Sequence, residues 1–329
     1  MEMRVLSNGG PTMIDELDKT LLLRFLRNCR TSYRELAREL GVTCPTVKRR
    51  VDNLIESGVI ETFTIDLSQE TLGLGWAYAE VTTDHSEDRA RLADEICSHA
   101  YTHEMFAVGS KKYVIFAELP LPDGMYEYGR FLRGLDGVRT IELFPAQQLP
   151  TTQLGSDCKY STRGKRVSFS DSELEVMKYL AQDARVSLLE ISERAGYRPK
   201  RVRRILRRLQ SSQGVHLTIR VNPSASDCVS FLLKITFEEL RSPGEIVYWL
   251  EENYPLEHWM SFLLSSTPVL VNYMTSANLA NVERIIGELN QIPFIQDVET
   301  MIIYHLERPC GDGPPIPVGS VFEPVFSSL

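Results

Sequence analysis

Apolar residues recur at helical spacing near the start of the chain, with Ile14, Leu17, Leu21, Leu22 and Phe25 on one face and polar residues between them. A second helix follows from Ser32, which stands three residues before Glu35. This is a capping box, in which the hydroxyl satisfies an orphan amide at the helix start. Leu36 and Leu40 continue the apolar face and Gly41 supplies the stop. Thr43 caps a third helix that buries Val47, Val51, Leu54 and Ile55, which leaves Thr46, Lys48, Arg49 and Arg50 directed outward. After Gly58 the period changes to two, and Val59–Ile65 reads as a strand that supplies a wing.

The same pattern returns 155 residues later, where Arg30-Thr-Ser-Tyr-Arg-Glu-Leu-Ala aligns with Arg185-Val-Ser-Leu-Leu-Glu-Ile-Ser. Leu21, Leu22 and Phe25 fall on Val176, Met177 and Leu180, Gly41 on Gly196, and Val47, Val51 and Leu54 on Val202, Leu206 and Leu209. Each helical region leads into short strands alternating with helices. In the first repeat the pattern predicts strands Trp76–Thr82, Glu104–Val108, Tyr113–Leu119 and Val138–Phe144, with helices Ser86–His99 and Asp123–Arg133. In the second it predicts strands Val229–Phe237, Glu257–Leu264, Val269–Met274 and Ile295–Tyr304, with helices Pro243–Asn253 and Asn278–Gln291. The expected division is a helix-turn-helix over 13–66, an α/β segment over 67–148, a polar linker over 149–168, a second helix-turn-helix over 169–223, a second α/β segment over 224–308 and a loose tail over 309–329.

Composition narrows the class only slightly. A hydrophobic share of 43% and a charged share of 24% are those of an ordinary globular chain. The first residues hold no secretory h-region and no stretch of about 18 apolar residues occurs, so the expectation is a cytoplasmic protein with no membrane partner. Cys29, Cys44, Cys97, Cys158, Cys228 and Cys310 form no C-x-x-C pair and are read as free thiols.

The net charge of −8 is unfavourable for approach to phosphate, but the charge is segregated. Arg198, Lys200, Arg201, Arg203, Arg204, Arg207 and Arg208 crowd one short stretch without an acidic residue. So many cations on about three turns repel one another, and contact with phosphate explains them more simply than a solvated surface does. Together with Thr43, Thr46, Lys48, Arg49 and Arg50 they are the candidate contacts to double-stranded DNA: guanidinium and hydroxyl groups suit phosphates and base edges. Thr46, Lys48 and Arg49 are matched by Arg201, Arg203 and Arg204, so the first helix is expected to read bases and the second to grip phosphate.

The run Tyr33-Arg-Glu-Leu-Ala-Arg-Glu-Leu-Gly-Val-Thr-Cys-Pro-Thr-Val-Lys-Arg-Arg-Val-Asp-Asn-Leu-Ile-Glu-Ser-Gly-Val-Ile60 resembles the DNA-binding domain of the Lrp/AsnC regulators. The resemblance implies an α+β fold of two repeats, each a winged helix-turn-helix followed by a ferredoxin-like βαββαβ effector domain. It further implies a small-molecule effector such as an amino acid, and a homo-oligomer, here built from pseudo-dimeric chains. In the family a glycine-containing turn lies near the ligand. Its counterpart here is Val108-Gly-Ser-Lys-Lys-Tyr113, which makes Gly109, Ser110, Lys111 and Tyr113 the candidate effector residues. The family's acidic residue after the glycine is absent, and an ordinary hairpin turn accounts for the same residues.

Other chemistry is sparse. Cys97, His99 and His103 lie close in sequence, but at a helix end and a strand start, where packing explains them better than a metal does. His103 and His258 are 155 apart and are expected at equivalent places in the two sheets. They keep open a tetrapyrrole-binding or siroheme decarboxylase-like reading of the same architecture. No phosphate loop, H-E-x-x-H or nucleophile elbow occurs, so neither catalysis nor a cofactor or metal is expected. An adaptor that uses its basic helix to bind an acidic protein remains a further alternative.

Overall fold

A computed structural model describes residues 13–150, 167–212, 214–265 and 267–304. The first repeat runs α1 (Glu16–Arg27), α2 (Tyr33–Glu39), α3 (Cys44–Glu56), β1 (Ile60–Leu67), α4 (Gln69–Leu72), β2 (Gly75–Thr83), α5 (Arg89–Cys97), β3 (Thr102–Ala107), β4 (Lys112–Leu119), α6 (Asp123–Arg133) and β5 (Val138–Gln148). The second runs α7 (Asp171–Gln182), α8 (Leu188–Ala195), α9 (Pro199–Ser211), β6 (Val215–Val221), a 3-10 turn (Pro223–Ala225), β7 (Val229–Phe237), α10 (Pro243–Asn253), β8 (His258–Leu264), β9 (Val269–Ser276), α11 (Leu279–Leu289) and β10 (Ile295–Ile302). The expected linker and tail lie largely outside the described residues.

The helical units begin where the caps place them. Ser32 and Ser187 accept from the Glu35 and Glu190 amides at 3.2 and 3.1 Å, and Asp15 and Ser170 form capping boxes at the heads of α1 and α7. Ile55, expected in the core, is instead 42% exposed, because the buried stripe of α3 closes with Val47, Val51 and Leu54.

The strand after each helix-turn-helix reaches across to the other repeat. β1 and β6 pair antiparallel, centred near Thr64 opposite Thr218, and form a two-stranded sheet of their own. The first helix of each unit then binds the strand of the other. Cys29 N donates to Leu217 O at 2.9 Å and Ala184 N to Phe63 O at 2.8 Å, while Thr64 Oγ1 and Thr218 Oγ1 donate to Ala181 O and Leu26 O. Arg30 adds bonds to Ala184 O and Val186 O at 2.8 and 2.9 Å, and Arg185 stacks on Tyr33 at 4.5 Å. The two helix-turn-helix units therefore share one core, in which Phe25, Val47, Val176 and Val202 are fully buried.

The remaining strands form an eight-stranded sheet of order β10-β7-β9-β8-β5-β2-β4-β3. Each half has its helices on one face, packed over Ile115 and Leu132 in the first repeat and Leu270 and Ile285 in the second. The other faces meet through Trp76, Tyr78, Phe116, Phe262 and Tyr273. The halves join along β5 and β8, where Gln147 pairs with Leu263, and their outer strands meet again where Ala107 bridges Tyr304. These two seams are related by a pseudo-twofold.

Strand register corrects the expected equivalence of the two histidines. Thr102 pairs with Ala117 and Glu104 with Phe116, which leaves His103 as a bulge, whereas His258 pairs with Met274 and Met260 with Tyr273, which leaves Trp259 as the bulge. His103 thus corresponds to Trp259, and His258 to Thr102. Free thiols are found, as expected, at Cys29, Cys44 and Cys228, but Cys97 is disulfide-bonded, and connectivity of that kind cannot be read from sequence spacing; Cys158 and Cys310 lie outside the described residues.

Candidate nucleic-acid interface

The recognition helix of the first unit is α3. Thr43 Oγ1 accepts from Thr46 N at 3.3 Å and lies 2.8 Å from the Thr46 hydroxyl, so Thr46 is partly engaged in the cap while Thr43 remains exposed. Lys48 and Arg49 face solvent. Arg50 does not: its guanidinium lies 2.7 Å from Asp15 and 3.0 Å from Asp18, whose side chain is buried. Burial and the neighbouring Asp15 push the Asp18 carboxyl up. At Asp15 burial acts the same way, but the Asp18 amide and Arg50 outweigh it and hold that carboxyl down. Arg50 is therefore the tie between α3 and α1.

The second unit repeats the tie with different residues. Arg208 Nε lies 3.0 Å from buried Glu173, which occupies the place of Asp18. All seven basic residues of this stretch are exposed, while Val202, Ile205, Leu206 and Leu209 turn inward. Arg201 stacks on Tyr197 at 4.2 Å. Six cations of this face thus point outward without the inward tie that Arg208 makes, which creates a field suited to phosphate.

Lys19 went unnoticed in the sequence, where a lysine on an amphipathic helix reads as surface. It is 2% exposed. Its ammonium donates to His258 O at 2.8 Å and sits 3.1 Å from the Trp259 ring centroid, which pins α1 to the effector sheet of the second repeat. Burial drives its pKa well down, with Glu257 and Glu251 opposing. Beneath it, Ser261 donates to Asn272 Oδ1 at 2.7 Å, so His258 Nε2 donates to Ser261 at 2.8 Å and Nδ1 is left without a partner. Burial and then Lys19 push His258 down to about 3. At the position of Lys19, α7 carries Leu174.

The candidate effector turn is held by α5. Arg89 donates to Gly109 O at 3.2 Å and to the Tyr113 hydroxyl at 3.1 Å, and that hydroxyl donates to Glu87 at 3.3 Å. Tyr113 is fully buried, while Ser110 and Lys111 face solvent. Cys97, His99 and His103 do not converge. His99 packs on Phe131 at 4.3 Å, and His103 lies edge-on to Trp76 at 4.9 Å.

Two basic helices on one shared core define a helix-turn-helix protein, and comparison with known proteins agrees. The model for winged helix-turn-helix DNA-binding domains matches residues 14–61 and, a second time, 169–213. The chain is 46% identical over 61 residues to an uncharacterized HTH-type transcriptional regulator of Pyrococcus abyssi, a match that covers 18% of this chain and 42% of that protein. It is 30% identical over 112 residues to the HTH-type transcriptional regulator LrpA of Pyrococcus horikoshii, which covers 34% of this chain and 79% of the relative. The chain belongs to the Lrp/AsnC family of HTH-type transcriptional regulators. Its whole architecture, both repeats included, is that of the siroheme decarboxylase NirDL, with a TM-score of 0.60 and 12% identity over 95% of this chain and 98% of the other. At that identity the likeness is one of fold.

Proposed function

We propose that the chain is a sequence-specific DNA-binding transcriptional regulator that presents two unlike recognition helices from one polypeptide. The observation that carries the reading is the outward basic face of α9, in a unit joined to that of α3 by the β1–β6 ladder. In this reading Thr46, Lys48 and Arg49 read base edges, with Thr43 at the phosphate, while Arg198, Lys200, Arg201, Arg203, Arg204 and Arg207 grip the backbone. Arg50 and Arg208 hold the helices in place. A small-molecule effector such as an amino acid binds near Ser110 and Lys111, and pseudo-dimeric chains associate further. The protein works in the cytoplasm without catalysing a reaction, and no helix among the described residues is long and apolar enough to cross a membrane.

Footprinting on genomic fragments tests this reading. An asymmetric operator, contacted differently in its two halves, is expected; a symmetric operator with equal contacts sinks the division of labour. The shared architecture with the decarboxylase favours one competing reading, a tetrapyrrole-binding protein. A Soret band on titration with an iron porphyrin, without a DNA shift, would replace the regulator by that reading.

A further inference from the structure

The two repeats build the same seat at corresponding ends of their sheets and close it differently. Register fixes the correspondence. Glu80 stands between Val114 and Glu142, and Lys234 between Val271 and Glu299, so these two share one place in the sheets. Four residues earlier, Trp76 pairs with Glu118 and Ser230 with Thr275, which sets Glu118 on Thr275. The backbone agrees, because the Glu118 amide donates to Tyr101 O at 2.9 Å and the Thr275 amide to Glu257 O at 2.8 Å. With His103 on Trp259, the two seats can be compared side chain by side chain.

In the second repeat the seat is shut. Trp259 Nε1 donates to Thr275 Oγ1 at 2.9 Å, both residues are buried, and the Lys19 ammonium covers the indole and the His258 carbonyl. In the first repeat an imidazole replaces the indole and a carboxyl group replaces the hydroxyl. His103 lies edge-on to Trp76 yet keeps solvent contact, and the Gln69 side-chain amide donates to Glu118 at 3.1 Å. Leu174, the counterpart of Lys19, has a side chain two atoms shorter than a lysine and no charge. The wing strand contributes Asp66, which faces both His103 and Glu118, while Glu61 and Arg220 face the neighbouring Glu104. Burial pushes the Glu118 and Glu104 carboxyls up to about 7, with Asp66 and Glu61 adding to it and Gln69 and Arg220 opposing. Burial also pushes His103 down to about 4, with Asp66 opposing and Arg220 adding. The seat thus offers carboxylate oxygens, an uncharged imidazole and an indole, the groups that receive an ammonium.

We infer that the first-repeat seat binds a small aliphatic amine, whose ammonium enters where Lys19 stands in the second repeat and bonds Glu118 beside His103. Strand β1 supplies one wall and strands β3 and β4 the other, so the ligand bridges the DNA-binding core and the effector sheet. Asp66 and Glu118 repel a carboxylate, which separates this class from an amino acid and this seat from the turn at Ser110 and Lys111. The inference does not depend on DNA binding.

Titration of the full-length chain with n-butylamine hydrochloride tests it, since butylammonium reproduces the lysine side chain. Calorimetry and tryptophan fluorescence, with sodium chloride as the ionic-strength control, should show one saturable site per chain with a Kd of about 1 mM or tighter, the range open to so small a ligand. Norvaline, the same chain with a carboxylate beside the amine, should bind about tenfold more weakly or worse. Glu118→Gln should weaken butylammonium binding by about tenfold, as loss of a charged hydrogen-bond partner does. Leu174→Lys, which carries an ammonium into the seat from α7, should abolish it. If Leu174→Lys does not fold, His103→Trp, which installs the closing residue of the second repeat, should abolish binding in its place. No saturable binding by the parent, unchanged binding in the Glu118 variant or in the closing variant, or norvaline as tight as butylammonium overturns the inference.

Discussion

The two repeats solve the same packing problem with different chemistry. At one place in the first helix, the first repeat carries Lys19, seated over Trp259 of the other repeat, and the second carries Leu174. On the recognition helices, one repeat exposes Lys48 and Arg49 and the other a dense arginine face. Opposite signs occupy one place in the sheets at Glu80 and Lys234. In a homodimer a single sequence must serve both sides of the axis. Fusion removes that constraint, and each half can then specialise in what the other lacks.

The largest expected effect comes from the side that differs most. Replacing Arg203, Arg204 and Arg207 together with Arg201 by alanine should weaken binding to all duplexes by a hundredfold or more at low salt. It should also make the slope of log affinity against log salt shallower by about 3 to 4, since each lost phosphate contact removes roughly 0.9. An unchanged slope would mean that this face does not meet the backbone.

The Lys19 seat comes next. Lys19→Ala leaves the Trp259 face and the His258 carbonyl uncovered, and should cost about 3 kcal/mol in chemical denaturation. Leu174→Ala, at the half-buried counterpart, should cost less. Equal losses would remove the distinction between the two anchors. A third change separates reading from gripping: Arg49→Ala should cost about 1–3 kcal/mol on the preferred sequence and little on others, narrowing the specificity ratio without altering the salt slope much.

The smallest effect concerns pH. His258 is depressed to about 3 by burial, so between the usual histidine range near 6.5 and about pH 3 the unfolded chain binds a proton that the native chain refuses. This group's contribution to stability is therefore complete above pH 6.5 and is lost as pH falls. His258→Gln should be less stable than the parent at pH 7, and the gap should narrow as the pH is lowered to 4. A gap of constant size, measured by denaturant titration at each pH, would show that His258 is not held neutral.

Much of this was legible in the sequence because the governing interactions are local. Capping serines and glycine stops placed the helices of both units, and the predicted helices Asp123–Arg133 and Pro243–Asn253 coincide with α6 and α10. Alternation found the strands but not their partners. β1 reads as a wing on its own, and only the three-dimensional structure shows it paired with β6, because a half-buried alternating strand does not encode which edge it meets. The histidine correspondence failed by one residue: the 155-residue offset that fits the helices does not hold through the third strands, where the bulges at His103 and Trp259 are 156 apart. Lys19 reads as surface and Arg50 as a DNA contact because a cation on an amphipathic helix is assigned outward until its neighbours from other segments are known.

The exchanged strands also act as a ruler. Because β1 and β6 are zipped together and each carries the first helix of the opposite unit, the separation of α3 and α9 is set by the length and register of that two-stranded ladder. Shifting the ladder by a single pair would change the distance at which the protein measures its operator.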